Sequence, residues 1–187
     1  MSEPRRRLFF ALWPEPATRA ALAGIAGAVQ LGRARRVRPD NLHLTLVFVG
    51  PLEAAAARAC AAAAARVEGQ AFELEIGTLG HFARARVAWL GPVAEPPALG
   101  ALVAALRTQL AAADLPFDPK PFRAHVTIGR EVRQLAGVPA LSSVRWPVSA
   151  FALVESVSGA DGVRYQVRGR WPLRPGGRDE TARPPVR

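Results

Sequence analysis

Apolar positions in this chain fall into two rhythms, and the alternation between them lays out the fold. Residues 7–13 are a nearly unbroken apolar run with two phenylalanines and predict a buried strand. Pro14-Glu15-Pro16 then opens a helix, because proline is tolerated in a first turn, and Leu22, Ile25, Ala26 and Val29 give that helix one apolar stripe. Asn41 to Gly50 is rich in β-branched and aliphatic residues and predicts a strand stopped by Gly50-Pro51. Glu53 to Val67 is almost all alanine and arginine, a helix by propensity. Phe72–Ile76 and Arg86–Leu90 predict two strands, Pro97–Leu115 a helix with Leu99, Leu102, Val103, Leu106 and Leu110 on one face, and Arg123–Gly129 a further strand. Val144–Val157 and Val163–Trp171 predict a closing hairpin around Gly159-Ala160-Asp161-Gly162.

Strands and helices are mixed without a strict β-α-β rhythm, which implies an α+β fold with largely antiparallel sheets. The order strand, helix, His-containing strand occurs near the front and again near Arg86–Arg130. That repetition suggests two pseudo-symmetric lobes within one domain spanning residues 1–173. Residues 174–187 carry proline, glycine and charge with little to bury, and are expected to form a disordered tail.

Composition narrows the function only in part. Half of the 187 residues are hydrophobic, enough for a packed interior, and the formal net charge is +10. A basic body suits a polyanionic partner, although an arginine-rich proteome would give the same total. A lone cysteine, Cys60, rules out an internal disulfide and a cysteine-built zinc site, and fits a reducing compartment. Arg5–Arg7 followed by Leu8 to Trp13 resembles a signal peptide, but the apolar run stops early at Pro14-Glu15. No apolar stretch nears the roughly 20 residues of a membrane helix, so a cytoplasmic protein without membrane contact is expected, and a monomer.

The chemistry is concentrated in histidine. Two of the three histidines sit in matching motifs, His43-Leu44-Thr45-Leu46 and His125-Val126-Thr127-Ile128, each within a predicted strand. Strand alternation puts each imidazole and its threonine hydroxyl on one face and the aliphatics on the other. Two such strands across a groove would supply an acid, a base and hydroxyl donors, a set suited to phosphodiester cleavage without metal or covalent intermediate. His81 falls in a predicted loop and is assigned to the surface or the rim. Phe9, Phe48, Phe82 and Phe122 are candidates for base stacking or core; alternation places Phe48 on the face opposite His43 unless a bulge intervenes. Trp13, Trp89, Trp146 and Trp171 are assigned to the core or a lobe interface. Arg33, Arg35, Arg36 and Arg38 form a basic loop ahead of the first motif that would guide an RNA backbone or simply be solvated. No carboxylate adjoins either motif, so a metal site on the two histidines is disfavoured.

The paired motifs resemble those of the two-histidine (2H) phosphoesterase superfamily. The blocks Arg7–Leu12, Asn41–Gly50, Phe122–Arg130 and Phe151–Ser156, with Tyr165 and Arg170–Leu173, are similar to the bacterial and archaeal RNA 2′,3′-cyclic phosphodiesterases, also called 2′-5′ RNA ligases. That resemblance implies a bilobal fold with both motifs lining a central cleft. It implies cofactor-free hydrolysis of RNA 2′,3′-cyclic phosphate ends, tRNA fragments among them, to 2′-phosphates. By the same resemblance His125 is the base that activates water, His43 the acid, Thr45 and Thr127 phosphate ligands, and Arg130 a phosphate or ribose contact; the pseudo-symmetry of the motifs leaves the exchanged assignment of the histidines open. Joining tRNA halves through a 2′-5′ bond, or binding RNA without catalysis, would use the same groove.

Overall fold

The computed structural model describes residues 5–135, 141–159 and 162–176. Nine strands and three helices follow the order β1 (Arg6–Leu12), α1 (Pro16–Ala28), β2 (Arg35–Arg36), β3 (Leu44–Leu52), α2 (Ala54–Ala64), β4 (Phe72–Phe82), β5 (Val87–Pro92), α3 (Pro97–Ala112), β6 (Val126–Arg130), β7 (Val144–Val148), β8 (Ala150–Gly159), β9 (Gly162–Pro172). The α+β class is as the periodicity predicts. The strands form one antiparallel sheet in the order β7-β4-β5-β6-β3-β1-β8-β9, with β2 attached to β6.

The two lobes are the two halves of this sheet. β7-β4-β5-β6 and β3-β1-β8-β9 join where β3 runs beside β6, and the register there is a single pair, Leu44 with Val126. All three helices pack on one face: Leu22 and Ala26 of α1, Cys60 and Ala63 of α2, and Leu99, Leu102 and Leu106 of α3 share a core with Leu8, Phe10, Leu12, Leu44, Leu74, Leu90 and Val126 from the sheet. Thirteen to sixteen residues of α1 or α3 would be marginal alone in water, so burial of these stripes is what holds the helices. The other face carries a smaller cluster, Phe9, Ala11, Ala152 and Val154, with Trp13, Phe48 and Tyr165 partly exposed beside it.

Several local expectations are corrected. Residues 144–157 are not one strand. β7 pairs with β4 and β8 with β1, and only Ser149 separates them. Consecutive strands thus belong to opposite halves of the sheet, which requires the sheet to curl until those regions meet. Pro147 lies on β7, an end strand of the sheet, where a missing N–H is tolerated. At the same corner Leu173 N–H donates to the Ser149 carbonyl (2.8 Å), and Arg174 exchanges main-chain bonds with Gly69 and Ala71. So Arg174, expected to open a disordered tail, is tied to the start of β4, and residues 177–187 of that tail lie outside the described residues. The turn residues Ala160 and Asp161 also lie outside them, although Gly159 and Gly162 pair as a hairpin requires.

Strand β4 runs on to Phe82, so His81 is in a strand and not a loop. Its Nε2 bonds the Val132 carbonyl (2.9 Å). Part of the predicted basic loop is a strand as well, since Arg35 and Arg36 pair with Arg130 and Gly129.

Candidate active site

Each histidine stands one residue before its strand rather than inside it, because β3 begins at Leu44 and β6 at Val126. Leu44 and Val126 are fully buried in the core and face each other across the seam. Alternation therefore turns His43, Thr45, His125 and Thr127 to the opposite face, and antiparallel register brings His43 alongside Thr127 and Thr45 alongside His125. The seam thus assembles the quartet the motifs imply.

The two imidazoles are held alike but solvated unequally. His43 Nδ1–H donates to the Asn41 carbonyl (2.7 Å), leaving Nε2 against Thr45 Oγ1 (3.1 Å). His125 Nδ1–H donates to the Arg123 carbonyl (2.7 Å). In both cases the i−2 carbonyl fixes the tautomer and presents Nε2 outward. Around His43 the rings of Phe9 (4.9 Å between centroids), Tyr165 (5.0 Å) and Trp13 (5.7 Å) close in. Burial pushes the His43 imidazolium down to about 4, aided by the positive charge of Arg130, His125 and Arg19 and opposed by the Asn41 hydrogen bond. His43 is therefore neutral at pH 7. His125 meets Phe82 edge-on at 5.1 Å and Trp89 at 6.5 Å.

A groove of about 490 Å³ opens over this face, lined by Arg7, Phe9, Arg35, Arg36, Arg38, Asn41, His43, Phe48, Thr127, Arg130 and Tyr165 among others. No carboxylate is among the described residues lining it. Thr45 and His125 do not line this groove themselves; they adjoin it through the seam. Arg130 lies on the groove wall. Phe48 is there too, for a reason alternation could not supply. The β1–β3 ladder slips at Leu46, which is left without a partner, so Thr45 and Phe48 end on the same face; a second slip follows at Val49.

Other contributors went unforeseen. Asn41, beyond holding His43, donates Nδ2–H to the Val163 carbonyl (2.8 Å) and accepts from Tyr165 N–H (3.3 Å), which pins β9 to the first motif. The Arg7 guanidinium lies over the Phe48 ring at 5.0 Å. Trp89, assigned to the core or a lobe interface, packs against Gly80 on the quartet's face, opposite Thr127 in the ladder. Trp13 likewise stacks on His43. His81 neighbours Gly80 and Phe82 in the strand and points to the other face, away from the groove. Cys60 is buried in the core, and burial pushes its thiol up to about 11, so it is no nucleophile. Among the described residues no three His, Cys, Asp or Glu side chains gather as a metal site, and no helix is long and apolar enough to cross a membrane.

Comparison with known proteins identifies the family. The 2′-5′ RNA ligase superfamily matches residues 13–160. The chain belongs to that superfamily. An RNA 2′,3′-cyclic phosphodiesterase of Escherichia coli (strain K12) is 33% identical over 176 residues, covering 92% of this chain and 99% of that protein. One of the same name from Thermus thermophilus is 34% identical over 182 residues, covering 90% of each. A crystal structure of a phosphoesterase superposes with a TM-score of 0.84 at 31% identity over 92% of this chain and 99% of that one. The antiparallel sheet with helices on one face is thus the superfamily's fold, and the two His-x-Thr motifs occupy its open side.

Proposed function

We propose that this protein hydrolyses 2′,3′-cyclic phosphate ends of RNA to 2′-phosphates. The observation that carries the reading is the seam: it brings two imidazoles and two hydroxyls to one face beside a groove walled by arginines. In the reaction, a water oxygen attacks phosphorus, the P–O3′ bond breaks, one histidine takes the water proton and the other protonates O3′. The Thr45 and Thr127 hydroxyls and the Arg130 guanidinium bind the non-bridging oxygens, on which charge builds. Phe48, with Arg7 above it, offers a face to the terminal base. The chemistry needs neither metal nor cofactor. RNA fragments, those of tRNA included, are the substrates, and a monomer in the cytoplasm suffices.

The roles implied by resemblance are His125 as base and His43 as acid. His43 then has to gain its proton when the phosphate arrives, whose negative charge raises the depressed pKa. The neutral state of His43 favours a second reading with the roles exchanged. A nucleoside 2′-phosphodiester with a 4-nitrophenolate leaving group separates the two, since such a group departs without an acid. The acid variant regains its rate on this substrate, and the base variant does not.

The primary test offers RNA ending in a 2′,3′-cyclic phosphate to wild type, His43→Ala and His125→Ala in excess chelator. The expected result is a 2′-phosphate from wild type and about a hundredfold to ten-thousandfold loss in each variant. Inert wild type, or variants as fast as wild type, would leave the groove as an RNA-binding surface. Joining of tRNA halves in place of hydrolysis would identify a ligase.

A further inference from the structure

Beside the groove, one end of the sheet collects arginines from three separate segments. Arg35 pairs with Arg130 in the β2–β6 ladder, and Arg130 pairs with Val87 in the β5–β6 ladder. Arg84 and Arg86 lie in the turn that joins β4 to β5 at this same end. Arg133 is brought there because Val132 is clamped on both sides: its N–H donates to the Arg86 carbonyl (3.0 Å) and its carbonyl accepts from His81 (2.9 Å). All five guanidinium-bearing residues are exposed. Across β2, β6, β5 and β4 they span three strand spacings of about 4.8 Å, or about 14 Å.

Charge pairing is sparse on this rim. Five arginines elsewhere face carboxylates: Arg5 with Glu53, Arg145 with Glu73, Arg168 with Glu155, Arg170 with Glu15, Arg174 with Glu68. On the rim only Arg35 has such a partner, Glu131 at 3.8 Å. Arg84, Arg86, Arg130 and Arg133 make no side-chain hydrogen bond or ion pair among the described residues. Arg86 also sits at φ +53°, a backbone setting that Gly or Asn would fill with less strain. An arginine-rich composition accounts for many arginines but not for one contiguous group left uncompensated. Because Arg35 and Arg130 also line the groove, the rim continues its wall outward.

We propose that this rim is a docking surface for the body of an RNA, engaging backbone phosphates beyond the nucleotide in the groove. A surface about 14 Å wide reaches several successive backbone phosphates of one strand. The inference rests on the proposed function in taking the reacting end to lie in the groove. It adds that the enzyme discriminates a polynucleotide from a cyclic mononucleotide, and that Arg84, Arg86 and Arg133 carry the difference.

The test compares wild type with a triple variant, Arg84→Gln, Arg86→Asn and Arg133→Gln, and with a charge-matched control, Arg58→Gln, Arg66→Gln and Arg145→Gln. Thermal melting by circular dichroism first confirms that each is folded. The kcat/KM for a 2′,3′-cyclic mononucleotide and for an RNA of roughly twelve nucleotides with the same end is measured over a salt series. In parallel, fluorescence anisotropy follows binding of that RNA carrying a 2′-phosphate. Each lost phosphate contact lowers the slope of log K against log salt by about 0.7, so the triple variant is expected to lose about 2 units of slope on RNA. Its turnover of the mononucleotide stays at the wild-type level, and the control keeps both. An unchanged slope in the triple variant, an equal loss in the control, or no preference of wild type for RNA overturns the docking surface while leaving the hydrolysis reading intact. If wild type turns over neither substrate, the hydrolysis reading falls, and anisotropy alone still decides the rim.

Discussion

His43 couples acid sensitivity of the fold to the chemistry. Its imidazole titrates near 6.5 when unfolded and near 4 when folded, with burial the main cause. Between those values the unfolded chain holds a proton that the folded chain rejects. Stability therefore falls as pH is lowered through that window, and is unaffected by His43 above it. Linkage gives about 2 kcal/mol lost between about pH 7.5 and about pH 5, and about 3 kcal/mol by pH 4. The perturbation is His43→Gln, which removes the titration and keeps a polar side chain of similar size. Urea unfolding at several pH values supplies the free energies, and carboxylates titrating in the same range cancel in the difference between the two proteins. Wild type is expected to lose about 2 kcal/mol more than the variant on going to about pH 5. Inorganic phosphate should reduce that excess, since an anion beside His43 favours its charged form. Parallel curves for the two proteins would show that His43 is as well solvated as in the unfolded chain, and the argument from burial would fail.

Other expectations concern single contacts. A Cβ on Gly80 would come within 2.0 Å of the Trp89 ring, so Gly80→Ala should cost about 1–3 kcal/mol and displace the ring from beside His125; melting and turnover are both expected to fall. Thr127→Val removes one phosphate donor and should lower kcat about a hundredfold in steady-state assays while the fold is kept. Phe48→Ala should raise KM about tenfold for substrates bearing a base, with kcat little changed, as stacking is worth about 1–3 kcal/mol. Asn41→Ala breaks two bonds to β9 and should cost about 1–3 kcal/mol of stability, read by urea unfolding, with earlier hydrogen exchange at the Tyr165 N–H.

The seam quartet could be read from the chain because it follows from local alternation: a buried Leu44 or Val126 compels its neighbours outward wherever the strand pairs. The helices were legible for the same reason, since stripes such as Leu99, Leu102 and Leu106 have one face to bury. What alternation cannot see is a slip in the ladder. Phe48 reaches the groove only because Leu46 is an unpaired residue in β3, a property of the β1–β3 pair and not of β3 alone. Residues 144–157 read as one strand because periodicity does not reveal that the two ends find different partners. The rings round His43 and His125 come from β1, β4, β5 and β9, so their convergence depends on strand order, which no local pattern encodes.

The halves of this sheet meet through one ladder pair, and the reactive groups straddle that junction. Any molecule that touches both histidines consequently acts as a staple between the halves. Tight inhibitors of this enzyme should therefore be recognisable as thermal stabilisers, with a shift in melting temperature that tracks their affinity. Fragments that engage only one histidine would shift the melting temperature only as far as their own weaker affinity and concentration allow.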